Sequence, residues 1–129
     1  MPKQTVTAPD AVPPLPVYSH ATISGKTVYV SGSIGCNKDM SLVEGGVQAQ
    51  TRAALTNMHK ILEAAGSGLD HVLKVTVFLP NIARDFALMN EVYKEFFPTS
   101  PPARTCIGVA ALPLGAEVEI ECIAELPVV

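Results

Sequence analysis

Two segments of the chain repeat apolar residues at three- and four-residue steps, a pattern that predicts amphipathic helices. The first covers residues 47–65 and is followed by Gly66, a residue type that commonly ends a helix in the left-handed conformation. The second covers residues 83–97 and is stopped by the proline-rich stretch 98–102. Shorter runs rich in β-branched residues predict strands at residues 17–23, 27–31, 71–79, 103–109 and 117–126. The order ββαβαββ indicates an α+β fold, with two helices packed on one face of a mixed sheet.

The first sixteen residues differ from the rest because they are rich in proline. Proline removes a backbone donor and breaks helices, so we expect residues 1–16 to form an extended arm outside the sheet. Gly32 and Gly35 predict a loop that continues to residues 45–46. The length of 129 residues suits one domain, which we expect to cover residues 1–129.

The face of the sheet that the helices leave uncovered is expected to be chemically mixed. Because successive strand residues point to opposite faces, this face is expected to carry Tyr29, Ser31, Phe78, Arg104, Cys106, Glu117, Glu119 and Glu121. A solvated face usually has a smaller apolar share. We therefore expect the face or its edge to be buried against other subunits of a closed oligomer.

Arg104 and Glu119 carry opposite charges on two strands that we expect to be neighbours, with both side chains on one face. A guanidinium stays charged at any working pH, and its planar fork matches a carboxylate in bidentate fashion. Two interpretations remain open from these residues. Arg104 either forms a structural ion pair with Glu119 or binds a small acid beside it.

Composition and charge exclude several classes of function. The net charge of −3 gives no basic footprint, which disfavours nucleic acid as the main partner. No apolar run reaches the ~18 residues of a membrane span, and the N-terminus shows no signal pattern, so we expect a cytoplasmic protein. The three cysteines are odd in number and form no CxxC motif, and the three histidines lack metal-ligand spacing. A disulfide framework and a metal site are therefore not expected.

Several short motifs recur in an order and spacing that resemble one known family. They are YSHA at 18–21, VSGSI at 30–34, Asn57 followed by LEAAG at 62–66, KVTVFL at 74–79, Phe86 followed by NEVY at 90–93, PARTC at 102–106 and VEIECIA at 118–124. Over nearly its whole length the chain resembles the Rid (reactive intermediate deaminase) family, also called YjgF or L-PSP proteins. The resemblance implies a chorismate-mutase-like fold and a homotrimer with clefts between its subunits.

The resemblance also implies a reaction. Members of the best-known branch hydrolyse reactive enamines and imines, such as 2-aminoacrylate and 2-iminopropionate, to a 2-keto acid and ammonia. Pyridoxal-phosphate dehydratases release these intermediates, which links the family to them metabolically. The Rid proteins themselves use no cofactor and no metal.

The family's site residues map onto this chain position by position. By resemblance Arg104 binds the substrate carboxylate, the backbone of Cys106 contacts the substrate nitrogen, and Glu119 orients the attacking water. Other positions that the family places in or near the cleft are Tyr18, Ser31, Gly32 and Asn90. The Cys106 thiol lacks a nearby His in the sequence and a helix N-terminus, so a nucleophilic role is disfavoured.

Besides Pro16-Val17, which precede Tyr18 where the family usually has Gly-Pro, two single positions depart from the family pattern. His20 and Ser33 stand where the family usually has Gln. We expect His20 to be a surface or rim imidazole, and we expect both departures to affect the rim of the cleft rather than the roles of Arg104 and Glu119.

Two alternatives come from other classes of function. One is an endoribonuclease or translation inhibitor, an activity attributed to some family members, against which the acidic charge weighs. The other is a non-catalytic protein that binds small acids or acts like a chaperone. It predicts keto-acid binding without turnover.

Overall fold

A computed structural model describes residues 2–127 of the chain. Its helices and strands are, in order, β1 (Gln4–Val6), β2 (Ala21–Ser24), β3 (Thr27–Ile34), α1 (Gly46–Ala64), β4 (Val72–Leu79), α2 (Ile82–Phe96), β5 (Ala103–Gly108) and β6 (Glu119–Glu125). Short 3-10 turns lie at Leu69–His71 and Pro113–Gly115. The predicted series ββαβαββ is confirmed, with one further strand in front of it.

The six strands form one mixed sheet in the order β1-β2-β3-β6-β4-β5. β4 and β5 are parallel, and every other neighbouring pair is antiparallel. The parallel pair follows from the chain path, because α2 forms the crossover between β4 and β5. The last strand, β6, is inserted between β3 and β4, which separates it from β5. The predicted α+β class with a mixed sheet is therefore confirmed.

Two expectations about the N-terminal third are wrong. Residues 4–6 join the sheet as β1 and pair with β2, because the prolines at positions 2 and 9 flank this short stretch without interrupting it. The predicted loop between Gly32 and residues 45–46 begins at Gly35 instead, since β3 continues to Ile34. The register of β3 against β6 shifts between Val30 and Ser33, so a bulge lies at Ser31 and Gly32.

The ends of the helices follow local sequence signals. After α1, Gly66 has a φ of 87°, and its amide donates to the carbonyl of Glu63 at 3.0 Å. The amide of Ser67 donates to the carbonyl of Leu62 at 2.8 Å, which completes a Schellman motif and confirms the predicted stop. At the start of α2, the side chain of Asn81 accepts a hydrogen bond from the amide of Arg84.

The core lies between the two helices and one face of the sheet. Val77 of β4 is fully buried and is paired across the sheet with Cys106 on one side and with the fully buried Ile120 on the other. The next row points away from the helices and contains Phe78 and Ile107. Leu73, two positions before the buried Val75, is nevertheless 47% exposed, because a register shift between positions 72 and 74 interrupts the alternation of faces.

The outer face of the sheet retains apolar side chains at its surface. Tyr29 is 48% exposed, and Ile107 is also exposed. Neither helix in residues 2–127 combines the length and the hydropathy that crossing a bilayer requires.

Candidate functional site

Glu119 opens the last strand and lines a large cavity at the surface of the chain. The cavity has a volume of about 740 Å³. The lining includes four of the predicted site residues, Tyr18, Ser31, Gly32 and Glu119. Apolar residues of the proline-rich arm, among them Val12 and Leu15, close another side. This volume is within the ~300–1,000 Å³ that is typical of small-molecule sites.

The position of the Glu119 carboxylate depends on Gly32. A Cβ added at Gly32 would lie 2.8 Å from Oε2 of Glu119, closer than non-bonded carbon and oxygen atoms approach. The absence of a side chain at the bulge therefore lets the carboxylate lie against the backbone of β3. The bulge also directs the Ser31 hydroxyl to the carbonyl of Ser19, to which it donates at 2.7 Å. This bond anchors the segment that carries Tyr18.

The Glu119 carboxylate has no hydrogen-bond or ion-pair partner among residues 2–127. Partial burial raises the pKa of Glu119 above its ordinary value, and the nearby charge of Glu121 raises it further. A carboxylate in such an environment accepts a proton more readily than a solvated one. It is therefore suited to accept a proton from a bound water molecule.

A second cluster of predicted site residues surrounds Arg104 on β5. Its Nη1 donates to Oδ1 of Asn90 on α2 at 2.6 Å. The guanidinium carbon lies 4.7 Å from the centroid of the Tyr93 ring and 5.8 Å from that of Phe86. The side chain is therefore held by one amide and two aromatic faces, all of them contributed by α2.

Arg104 differs from the other two arginines in having no acidic partner within residues 2–127. Arg52 pairs with Glu95, and Arg84 pairs with Asp85 and Glu117. No carboxylate of residues 2–127 lies within 4.0 Å of the Arg104 guanidinium. The sequence left two interpretations of Arg104 open. This geometry excludes one of them, a structural ion pair between Arg104 and Glu119 of the same chain.

Arg104 and Glu119 were expected on adjacent strands with both side chains on one face, and this expectation is wrong. β4 separates their strands. Val75, which is fully buried beneath the helices, is paired with both Arg104 and Cys122, so Arg104 lies on the helix face. Glu119 is paired with Phe78, three positions further along β4, and therefore lies on the outer face.

The predicted site residues thus fall into two groups within one chain. Asn90, Arg104 and Cys106 form the group on β5 and α2. The group at the cavity consists of Tyr18, Ser31, Gly32 and Glu119. Cys106, like Arg104, was expected on the outer face, but it shares the helix face with Val77 and packs against the core.

The thiol of Cys106 has the wrong environment for a nucleophile. Burial raises its pKa, an effect that the charge of Arg104 only partly offsets. The thiol is therefore protonated near neutral pH. Its backbone lies on β5, the terminal strand of the sheet, where one edge is left without a partner strand in the described residues.

His20 is not a rim residue, as was expected, because it is only 4% exposed. Its Nδ1 accepts from the amide of Ala8 at 2.9 Å, and its Nε2 donates to the carbonyl of Val12 at 2.7 Å. The other family departure, Ser33, reaches the same segment through Asn57. The Asn57 amide donates to the Ser33 hydroxyl at 3.1 Å and accepts from the amide of Val12 at 2.8 Å.

Both departures therefore hold the cavity wall at Val12, and neither alters the surroundings of Arg104. Sequence reasoning missed the roles of Asn57 and Tyr93. Each lies inside a helix pattern in which its side chain is typical of a packing residue, although both belong to segments that carry the family resemblance.

Comparison with known proteins finds relatives that match most of the chain. The family model described as Endoribonuclease L-PSP matches residues 8–126. The RutC family protein UK114 of Drosophila melanogaster is 47% identical over 123 residues, which cover 95% of this chain and 88% of that protein. The human protein named 2-iminobutanoate/2-iminopropanoate deaminase is 45% identical over 121 residues, which cover 93% of this chain and 85% of that protein.

Solved structures give the same result at the level of the fold. The crystal structure of yeast Mmf1 superimposes with a TM-score of 0.93 at 37% identity, covering 98% of this chain and 100% of that one. The structure of E. coli TdcF with bound serine has a TM-score of 0.87 at 34% identity, covering 95% of this chain and 98% of that one. With the family model matched over most of its length and relatives above 40% identity, the chain belongs to the endoribonuclease L-PSP family, which is the Rid family that its motifs resemble.

Proposed function

We propose that this protein is a hydrolytic deaminase of reactive enamine and imine intermediates. Its substrates are of the 2-aminoacrylate and 2-iminopropionate type, and its products are 2-keto acids and ammonia. The observation that carries the proposal is the Arg104 guanidinium, which is held firmly by its neighbours and lacks an acidic partner within residues 2–127. Four relatives named 2-iminobutanoate/2-iminopropanoate deaminase, from mite, cattle, human and mouse, support it.

Arg104 is proposed to bind the substrate carboxylate. Nη1 donates to Asn90 and makes a longer contact of 4.0 Å with the sulfur of Met89, whereas Nε and Nη2 have no hydrogen-bond partner within residues 2–127 and are available to a ligand. A bidentate pair with a carboxylate fixes position and orientation together. Orientation is much of what a catalyst contributes to a reaction that already proceeds slowly in water. The TdcF structure with bound serine supports a site for a small carboxylic acid in this fold.

Glu119 is proposed to activate the water. Its carboxylate takes a proton from water as the oxygen forms a bond to the imine carbon, and the electron pair of the C=N bond moves to nitrogen. The nitrogen then receives that proton through Glu119, which gives a carbinolamine. The carbinolamine hydroxyl passes its proton to nitrogen through the same carboxylate as the C–N bond breaks and the C=O bond forms, and the keto acid and ammonia leave. An enamine enters this sequence after it has tautomerised to the imine. The Cys106 backbone and Tyr18 are proposed to contact the substrate, with Ser31, Gly32 and Asn90 shaping the cleft.

The complete site is proposed to form between neighbouring chains of a homotrimer. The two groups of site residues lie on opposite faces of one sheet, so a single chain does not bring Arg104 to Glu119. In a cyclic oligomer, one surface of each subunit meets a different surface of the next, which would join the two groups. The exposed Tyr29 and Ile107 on the outer face support burial of that face against another subunit.

A complementation experiment tests the reaction and the shared site together. A pyridoxal-phosphate threonine/serine dehydratase generates the imine, and semicarbazide traps what remains unhydrolysed. We expect the wild-type protein to accelerate release of the keto acid, and Arg104→Ala and Glu119→Gln to lose that acceleration separately. When the two variants are unfolded and refolded as a mixture, about a quarter of the sites should combine an intact Arg104 with an intact Glu119.

The outcomes separate the two parts of the proposal. Recovery of about a quarter of the wild-type rate in the mixture supports a site shared between chains. No recovery, with trimers confirmed by light scattering, contradicts the shared site but not the reaction. Absence of acceleration by the folded wild-type protein contradicts the reaction. Binding of 2-oxobutanoate without turnover would then favour a small-acid-binding protein.

The family name favours endoribonuclease activity as a second candidate. Two features of the chain oppose it, namely the net charge of −3 and the engagement of Arg52 and Arg84 in ion pairs. Nucleic-acid binding through phosphates weakens steeply as salt increases. Salt-dependent cleavage of a labelled RNA by the purified protein would support this candidate, and the absence of cleavage at low salt would exclude it.

A further inference from the structure

Tyr93 on α2 is buried against Arg104 and does not use its hydroxyl. Its exposed fraction is 7%, and the hydroxyl has no hydrogen-bond partner among residues 2–127. A buried hydroxyl without a partner is unfavourable and requires an explanation. The residue makes one distinctive polar contact, which is through the face of its ring. The guanidinium carbon of Arg104 lies 4.7 Å from the ring centroid.

The ring face and the Asn90 side chain restrain the guanidinium in different ways. Asn90 fixes one nitrogen by a hydrogen bond of 2.6 Å, which still permits rotation about that contact. A planar guanidinium lying over an aromatic face loses this freedom, because the attraction is greatest when the cation stays over the ring. The ring also attracts the cation without using any of its N–H donors.

Phe86 is the second aromatic ring near the Arg104 guanidinium, and it holds the cation less firmly than Tyr93 does. It lies 5.8 Å from the guanidinium carbon and is itself exposed. Tyr93 is in turn held by Phe97, whose ring centroid is 4.9 Å away. A rigid ring backed by a second buried ring gives the cation a fixed support.

We propose that Tyr93 is a positioning residue for the reaction, acting through its ring face to hold Arg104 in the orientation that binds the substrate carboxylate. This inference rests on the proposed role of Arg104. The ring of Tyr93 holds Arg104 and the hydroxyl has no part in this role, so two substitutions of Tyr93 should have different effects. Tyr93→Phe keeps the ring face, whereas Tyr93→Leu removes it.

The expected effects differ in kind as well as size. Tyr93→Leu should raise the KM for the imine about 3- to 30-fold, the factor that a cation–π interaction of about 0.7–2 kcal/mol represents at 1.4 kcal/mol per tenfold. Its kcat should change much less, because Arg104 contacts the carboxylate in both the ground state and the transition state. The Kd for 2-oxobutanoate, measured by NMR titration, should rise by a similar factor. Tyr93→Phe should leave KM, kcat and Kd close to the wild-type values.

Val92→Ala provides a matched control for loss of packing. Val92 is buried on the same helix, one position from Tyr93, and makes no aromatic contact with Arg104. It should lower the midpoint of urea unfolding, as Tyr93→Leu does, without raising KM or the Kd for 2-oxobutanoate.

Two results would overturn the inference. One is a folded Tyr93→Leu protein with unchanged KM and Kd, and the other is a Tyr93→Phe protein that loses as much affinity as Tyr93→Leu. If the wild-type protein does not hydrolyse the imine at all, the reaction is contradicted. The comparison of Kd values among the variants then still tests the support of Arg104.

Discussion

Arg104 and Glu119 lie on opposite faces of the sheet, although the strands that carry them both pair with β4. Arg104 is tied to α2 by Asn90 and an aromatic face, and Glu119 lies against the bulge at Gly32. Each residue is therefore positioned by a different part of the fold. Within residues 2–127, Arg104 has no acidic partner and Glu119 has no basic partner, so each remains available to a ligand.

Removing the charge of Glu119 tests its catalytic role directly. Glu119→Gln should lower kcat by about 10²–10⁴-fold, the usual contribution of a general base. For the wild-type protein, kcat/KM should fall on the acid side with an apparent pKa above that of an ordinary Glu, because burial and the Glu121 charge raise it. Glu121→Gln should move this acid limb to lower pH. A pH–rate profile unaffected by either substitution would contradict the assignment.

The same carboxylate should reduce stability at neutral pH. Because the pKa of Glu119 is raised in the folded protein, its folded state holds the proton more tightly than the unfolded state. The stability linked to this group is present below the ordinary Glu pKa and is lost as pH rises through the raised value. Glu119→Gln should therefore unfold at higher urea concentration than wild type at pH 7, with the difference vanishing in acid. An equal midpoint at pH 7 would exclude this linkage.

Gly32→Ala should reduce activity without unfolding the protein. The new Cβ would lie 2.8 Å from Oε2 of Glu119, so the carboxylate must move. A displacement of about 1 Å at a catalytic group lowers the rate by about 10²-fold. Gly68→Ala is a matched control, because Gly68 has extended backbone and no atom within 4 Å of the added Cβ. A Gly32→Ala protein that retains the wild-type kcat, as Gly68→Ala should, would contradict the dependence of the Glu119 carboxylate on Gly32.

Cys106→Ala should retain at least about half of the wild-type activity. The thiol packs against the core, and burial raises its pKa, so it is not present as the thiolate that nucleophilic catalysis requires. The proposed contact with substrate comes from the backbone, which the substitution preserves. The coupled dehydratase assay measures this, with thermal unfolding as a check on packing. A folded variant that loses nearly all of its activity would restore the nucleophile interpretation.

Local patterns were sufficient to predict the helices and most of the strands. The three- and four-residue periodicity located α1 and α2 to within a few residues, and Gly66 marked the end of α1 correctly. These features depend on contacts between residues that are close in the chain, which a sequence displays directly.

The placement of Arg104 could not be obtained in the same way. In β5 the residues of one face are Ala103, Thr105 and Ile107, and those of the other are Arg104, Cys106 and Gly108. Neither set is distinctly more apolar, so the pattern does not say which face is buried. The order of strands also places β6 between β3 and β4, an arrangement decided by long-range pairing. Only the contacts with α2 show how a charged residue is accommodated on the helix side.

The role of His20 was hidden for a similar reason. Its partners, Ala8 and Val12, lie in the proline-rich arm that was expected to remain outside the sheet. Their prolines disfavour regular structure locally, but they do not prevent the intervening amides and carbonyls from bonding to a side chain. The sequence feature that could have indicated this role is the imidazole itself. Its ring offers one donor and one acceptor, and it follows a segment whose prolines leave backbone amides and carbonyls outside helices and strands.

The final prediction concerns this contact between His20 and the arm. His20→Ala removes the acceptor for the Ala8 amide and the donor to the Val12 carbonyl, and Ala8 is buried. Leaving a buried polar group without a partner costs about 1–3 kcal/mol, so the free energy of unfolding should fall by that amount. The Ala8 amide should also exchange faster with deuterium. His59→Ala is the matched control, because its imidazole is exposed and lies 3.6 Å from Glu63 on the surface of α1. If the two variants have equal stability and equal exchange at Ala8, the arm is held by other contacts and the His20 bonds are dispensable.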